Sequence, residues 1–436
     1  MREGFWTKLL HAAIGFCLAA VLTTAGHAAT PALTPAAAKA LFAEAKAVSD
    51  KDGGVTWGKP LYGPMLFVDQ DTHTIIANEP DAGGILHAED GVWVGKLPAD
   101  ILPANTAFNW QGKRWTMLAW PVWGDAVGRP RLLAHEMFHR IQPGLHLSIG
   151  ADTTNPHLDT LEGRLWLQLE WRALAVALTS SGKARETAIR DALAFRAHRA
   201  VLFAGAGESE RVMEINEGLA EFTGVRVGAR DVASARWQAA VKLLTAGEKT
   251  WVRSFPYTSG PAYGLLLDSL TPGWRAGVSD TSDLSRMLAA ALPKAEPLDA
   301  VARARLYGEA DLRRVETEHA AQADAEKAAY RAKLVDGPVL LLPNLGSHFN
   351  VSFDPRELVP LGTAGTVYPT MQVSDEWGAI KASDGVLMTP DWQKVFVTAP
   401  RDHSGSTLNG EGWTLELAPG WKLVPGDKPG SFTVAK

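Results

Sequence analysis

The pentapeptide His135-Glu136-Met137-Phe138-His139 combines the residue types and spacing of a hydrolytic metal site. On a helix, residues four apart share a face, with Cβ atoms about 5–6 Å apart. His135 and His139 can then approach one zinc ion, each with a nitrogen about 2.0–2.1 Å from it. Glu136 projects beside the metal, placed to take a proton from water there. The plainer alternative is two surface histidines on an amphipathic helix. The apolar flanks Leu132, Leu133 and Ile141 weigh against it.

Two histidines do not complete a zinc site, which needs a third ligand. The candidate is Glu217, in Ile215-Asn216-Glu217-Gly218-Leu219-Ala220-Glu221-Phe222. Glu217 and Glu221 are again four apart and share a helix face, with Ile215, Leu219 and Phe222 turned to the core. Gly218 disfavours a helix by about 1 kcal/mol relative to Ala. Its missing side chain would let another helix approach closely. An acidic pair alone is more often a solvated face, but here apolar residues surround it. Glu162 is the best rival ligand because it lies nearer to His139 in the chain, yet it lacks the Asn-Glu context. Glu170, in Leu169-Glu170-Trp171-Arg172, suits a salt bridge or a cap, and Glu214 stands just before Glu217.

Together, His135-Glu136-x-x-His139 and Asn216-Glu217-x-x-x-Glu221 resemble the motifs of the gluzincins, the thermolysin-like zinc metallopeptidases. The resemblance implies that Glu217 is the third zinc ligand and that Glu221 accepts the free N–H of His135. It implies peptide or protein substrates and Glu136 as general base. It also implies a downstream Tyr or His that stabilises the oxyanion on the attacked carbonyl. The segment from Phe255 to Gly264 offers Tyr257 and Tyr263 in what reads as a Gly/Pro-rich loop. Tyr257 is preferred, because Tyr263 abuts the apolar run Leu265 to Leu270. The resemblance is specific over the two motif helices and looser over residues 55–230 as a whole. The chain departs from the pattern in three ways. The stretch between His139 and Glu217 has room for two extra helices. Arg140 stands where an uncharged residue is usual, and Glu221 replaces the commoner aspartate.

The elements that must position these residues follow from periodicity. Ala36 to Ala47 reads as a helix. Met65 to Val68 and His73 to Ile76 read as a hairpin across Asp71-Thr72, as do Phe108 to Trp110 and Arg114 to Leu118 across Gln111-Gly112. Thr116 to Val122 reads as an edge strand, because Pro121 cannot donate to a ladder. Helices are expected over Leu132 to Ile141, Leu158 to Leu178, Ala184 to Phe203, Glu208 to Val225 and Ala310 to Leu334. After Pro338 short strand-like runs return, among them Val339 to Leu342, Val367 to Val373 and Trp413 to Leu417.

Composition bounds the rest. Charged residues make up 21% and hydrophobic ones 46%, as in a globular chain able to bury a core. A net charge of −5 leaves no basic excess for phosphates, so nucleic-acid binding is not expected. Residues 1–28 read as an export signal: Arg2 and Lys8, the short apolar run Ala12 to Leu22, then Gly26-His27-Ala28. That run is too short to span a membrane. The only cysteine, Cys17, lies within it, so disulfides and thiolate chemistry are excluded beyond it. The expected fold is α+β: an antiparallel N-terminal sheet and a helical zincin-like lobe over residues 29–336, then a small all-β domain over residues 337–436. The expected function is that of an exported zinc peptidase, periplasmic or secreted. The alternatives are a catalytically silent metallopeptidase-like binding or envelope-assembly protein, and a zinc hydrolase of non-peptide amides.

Overall fold

A computed structural model describes residues 31–98, 101, 103–147, 155–346, 349–354, 357–402 and 404–436. The expected export signal, with Cys17, lies outside the described residues. The chain is a mixture of helices and sheets. Helix α1 (Pro35–Asp52) starts at a Thr34 cap with Pro35 in its first turn and stops at Gly53, whose φ of 57° closes the end.

Six strands follow: β1 (Met65–Asp69), β2 (Thr74–Ala77), β3 (His87–Glu89), β4 (Val92–Lys96), β5 (Thr106–Trp110) and β6 (Lys113–Trp120). Both expected hairpins form, β1 with β2 and β5 with β6. The sheet order is β3-β4-β2-β1-β6-β5. The expectation of an antiparallel sheet fails at its centre, where β1 and β6 run parallel. Hairpin signals are local, and nothing in either hairpin specifies how the two dock. The run Met65 to Val68 is fully buried on both faces, as expected of a central strand with parallel pairing. The edge-strand expectation for Thr116 to Val122 also fails. β6 sits between β1 and β5, and it ends at Trp120, so Pro121 lies beyond the ladder. The edges are β3 and β5.

Helices α2 (Gly128–Ile141), α3 (Leu161–Thr179), α4 (Gly182–Leu202), α5 (Ala206–Met213), α6 (Leu219–Gly228), α7 (Val232–Thr245) and α8 (Pro256–Leu270) build a lobe against one face of the sheet, followed by α9 (Leu284–Ala290), α10 (Ala300–Ala304) and α11 (Glu309–Arg331). Its core joins Phe67, Leu118 and Trp120 of the sheet to Phe138, Leu169, Phe195, Phe222 and Leu266 of the helices. The opposite sheet face packs Leu66, Val68, Ile75, Trp115 and Met117. Two expectations are corrected here. Glu208 to Val225 is not one helix: a π turn over Glu214–Gly218 interrupts it, with Leu219 N–H bonded to the Glu214 carbonyl. The Gly/Pro-rich segment from Phe255 is not a loop but the first turns of α8. Pro256 occupies the first helical position, where its missing N–H costs nothing. Helices α7, α9 and α10 had no expectation.

Beyond Gly337 the described residues form strands, apart from a 3-10 turn at Gly362–Ala364. A seven-stranded sheet and a five-stranded one pack around Leu340, Val373, Trp377, Ile380, Val395 and Leu415. The expected strand Val367 to Val373 divides at Pro369: β7 (Thr366–Tyr368) joins the larger sheet and β8 (Met371–Asp375) the smaller. Val252, from the loop before α8, belongs to this core, so it is continuous with the helical lobe.

Candidate metal centre

Helices α2 and α6 cross in close contact because α6 carries glycines where they meet. A Cβ on Gly224 would lie 2.7 Å from the carbonyl oxygen of Arg131, and one on Gly228 would lie 2.8 Å from its nitrogen. No real side chain fits there, so the two helices approach backbone to backbone. Residues one turn either side of that crossing then meet. His135 and His139 of α2, spaced one turn apart, face Glu217 of the π turn and Glu221 of α6.

The two histidine Nε2 atoms are 3.1 Å apart. Glu217 Oε2 lies 3.5 Å from His135 Nε2 and 3.4 Å from His139 Nε2. These three donors lie within 4.8 Å of one another and could hold one metal ion. Each is oriented from behind. His135 Nδ1 is 2.7 Å from Glu221 Oε2, and Arg131 in turn pairs with Glu221. His139 Nδ1 is 2.8 Å from Gln142 Oε1. Gln142 Nε2 donates to Asn216 Oδ1 at 3.2 Å, and Asn216 Nδ2 donates to Glu217 Oε1 at 3.2 Å. With their Nδ1 atoms held by Glu221 and Gln142, the imidazoles, in the neutral form a metal requires, would turn their Nε2 lone pairs toward one point.

Glu136 is 5% exposed, and its Oε2 is buried without a hydrogen-bond partner. Glu170 Oε2 and Arg199 Nη1 are orphaned in the same way, so this oxygen does not by itself mark a functional position. Burial pushes the Glu136 carboxyl above its ordinary range, with the facing histidines opposing. Burial disfavours the His135 imidazolium, yet the hydrogen-bonded carboxylates of Glu217 and Glu221 outweigh it and pull its pKa up to about 10. His139 moves the same way, burial opposing and Glu217 raising. Burial would raise Glu217, but the two histidines hold it well below the usual carboxylate range.

Tyr257 and Tyr263 separate cleanly. Tyr257 donates to Glu217 Oε2 at 2.7 Å, and its ring stacks on His135 with centroids 5.6 Å apart. Its place follows from a second glycine contact. A Cβ on Gly260, three residues further along α8, would collide with the Cα of Gly218. That approach sets the first turn of α8 against the π turn. Tyr263 is fully buried and donates to Glu170 Oε1 at 2.7 Å, away from the cluster.

Protein families, curated proteins and solved structures give no match to this chain. The site is therefore read from its own geometry. Glu162, the rival ligand, pairs with Arg313 at 2.5 Å and accepts from Trp166 Nε1 at 3.0 Å, outside the cluster. Glu170 forms ion pairs with Arg196 and Arg199. Sequence reasoning missed Gln142 and Arg131. Gln142 is three residues past His139 and Arg131 four before His135, so helical spacing carried a signal for both. Of the four tryptophans from Trp110 to Trp123, Trp110, Trp115 and Trp120 are buried, and only Trp123 is exposed.

Proposed function

We propose that this chain is an exported zinc-dependent peptidase, with His135, His139 and Glu217 as ligands and Glu136 as general base. The observation that carries the reading is the donor triangle. A tetrahedral ion with bonds of about 2.0–2.1 Å sets neighbouring ligand atoms about 3.3–3.4 Å apart. The edges here are 3.1, 3.4 and 3.5 Å. Two imidazoles and one carboxylate are also a donor set that leaves a fourth position open, the arrangement of catalytic rather than structural zinc. Bound there, zinc supplies a Lewis acid and makes water a nucleophile at neutral pH.

The chain's own groups supply the proton chemistry. Glu136 takes a proton from the attacking water and passes it to the leaving nitrogen. A carboxyl raised by burial is closer in pKa to that task than an ordinary glutamate. Burial and the neighbouring Glu217 push the Tyr257 phenol well above its ordinary value. It therefore stays protonated and can donate to the oxyanion of the attacked carbonyl. Strand β5, not β6, offers the free edge. It lies beside α2, where an extended peptide can pair with its backbone. This arrangement of sheet, motif helices and C-terminal strands fits a zincin-like lobe over residues 29–336 with an appended β-domain. Among the described residues no helix is long and apolar enough to cross a membrane. The amino-terminal pattern of residues 1–28 supports export.

Native mass spectrometry of the purified protein should show one zinc per chain, and a peptide-library digest should show cleavage. Glu136→Gln keeps size and helix propensity but cannot act as base. It should retain zinc while hydrolysis falls by a factor on the order of 10² or more, since general-base catalysis contributes about 10²–10⁴. Unchanged hydrolysis in that variant contradicts the mechanism. Zinc without hydrolysis in the unaltered protein selects the catalytically silent reading.

A further inference from the structure

Four acids recur along one stretch at spacings of four, three and four: Glu210, Glu214, Glu217 and Glu221. In an uninterrupted α-helix that spacing would place all four on one face. The structure divides them two and two. Glu210 and Glu214 face the buried guanidinium groups of Arg196 and Arg199, whereas Glu217 and Glu221 face His135. The π turn at Glu214–Gly218 makes the division. One extra residue in a turn offsets everything after it by about 100°, one residue's rotation.

A π turn is rare and has the regular helix as its competitor. What pins this one is a clamp on its first residue. Arg196 grips both oxygens of Glu214, Nη1 to Oε1 at 2.9 Å and Nη2 to Oε2 at 2.6 Å. Ser259 of α8 donates to the same Oε1 at 3.0 Å. Arg196 is 8% exposed and Glu214 1%. Arg196 also reaches Glu170 on α3 at 3.2 Å, so its own position is fixed by a second helix. A planar fork on a carboxylate fixes orientation as well as distance.

We propose that Arg196 is a positioning residue for the metal centre: by clamping Glu214 it holds the π turn that turns Glu217 out of the arginine-facing stripe and toward His135 and His139. The inference rests on the proposed role of Glu217 as ligand. Arg199 makes the natural control. It is buried more deeply still and grips Glu210 in the same two-point manner, Nε to Oε1 at 2.9 Å and Nη2 to Oε2 at 2.6 Å. Glu210, however, lies a turn before the π turn and has His157 as a further partner. Removing that pair should leave the turn in place.

The test compares two double variants, Arg196→Leu/Glu214→Leu and Arg199→Leu/Glu210→Leu. Replacing both members of a buried ion pair by apolar residues is often tolerated, whereas removing one leaves a buried charge unpaired. Zinc affinity is read by competition with a chromophoric chelator, and circular dichroism with thermal unfolding checks the fold. The Arg196/Glu214 variant should lose about 10–100-fold in zinc affinity, the range for groups that orient ligands, and the Arg199/Glu210 variant should match the unaltered protein. Equal losses in both, or no loss in the first, overturn the inference while the zinc reading stands. Absence of zinc from the unaltered protein overturns the zinc reading itself, and the inference with it. If the first double variant does not fold, Glu214→Gln keeps the size and some hydrogen bonding but weakens the grip. It should lose zinc affinity in the same direction, and full affinity there overturns the inference.

Discussion

Two buried clusters of charged side chains meet at the π turn, and they are built from the same kind of acid. On one side Glu170, Glu210 and Glu214 surround Arg196 and Arg199. On the other Glu217 and Glu221 face His135 and His139. In the first cluster each acid pairs with a guanidinium, three carboxylates sharing two arginines. A guanidinium does not give up its proton in a protein, so those acids have permanent partners and no reason to bind anything else. The second pairs acids with imidazoles, which can release protons and expose lone pairs. Burial alone does not distinguish a structural network from a metal centre. The proton affinity of the cationic partner does, and so does access: Glu217 and Tyr257 remain partly exposed, whereas Glu170 and Arg199 are fully buried.

The strongest way to break this contrast is to remove a donor. His135→Ala and Glu217→Ala should each abolish stoichiometric zinc in native mass spectrometry, while Glu162→Ala should retain it. Zinc retained by both donor variants would remove the metal centre from the account. Loss of zinc from the Glu162 variant would move the third ligand to α3.

The next effect concerns the groups behind the donors. Glu221→Ala frees the Nδ1 of His135, and Gln142→Ala frees that of His139. Each should weaken zinc by about 10–100-fold without abolishing it. Chelator competition measures this directly. A loss in Glu221→Ala as complete as in Glu217→Ala would show that Glu221 ligates the metal itself.

The arginine cluster should lose stability in acid. Burial raises Glu210, but Arg199, with help from His157 and Arg196, holds its carboxyl far below the ordinary range. A depressed carboxyl contributes stability that is complete above the unfolded value, about 4.3, and is lost as pH falls below it. Burial moves Glu214 the opposite way, and its protonation in acid offsets part of the loss. Urea midpoints measured from pH 7 down to pH 3 should therefore fall, and the fall should be smaller in Arg199→Leu/Glu210→Leu. An equal fall in that variant would place the acid sensitivity elsewhere.

How much of this was legible in the sequence depends on whether the signal was periodic. His135 with His139 and Glu217 with Glu221 are each one turn apart, and the structure brings the first three together. The two hairpins were legible from their turn residues. Three things were not. The π turn has no marker in the sequence beyond Gly218, because an extra residue in a turn leaves composition unchanged. Helix α8 carries Pro256, Gly260, Pro261 and Gly264, a texture that signals a loop. In the fold, Pro256 is harmless at the first position, and Gly260 and Gly264 lie against Gly218 and Phe222, where a Cβ would collide. The parallel pairing of β1 with β6 joins segments far apart in the chain, and no local pattern records it.

The smallest change in metal affinity is expected at Tyr257, and it bears on the comparison because a tyrosine serves each cluster. Tyr263 donates to Glu170 in the sealed network, and Tyr257 donates to Glu217 at the open one. The hydrogen bond of Tyr257 falls on Oε2, the oxygen that also faces both imidazoles, so it competes for the lone pairs a metal would use. Tyr257→Phe removes that competition and also one restraint on the carboxylate. These effects oppose each other, so zinc affinity should change little. Turnover should nonetheless fall, because in the proposed mechanism the protonated phenol donates to the oxyanion. Losing one such donor costs on the order of 10²–10³ in kcat elsewhere. Tyr263→Phe should show the reverse pattern, with a lower unfolding midpoint and ordinary turnover, since a buried acceptor on Glu170 loses one of its two donors and keeps only Arg196. Full turnover in Tyr257→Phe beside a dead but folded Tyr263→Phe would exchange the two roles. Full turnover in both would leave Tyr257 as a group that only orients Glu217.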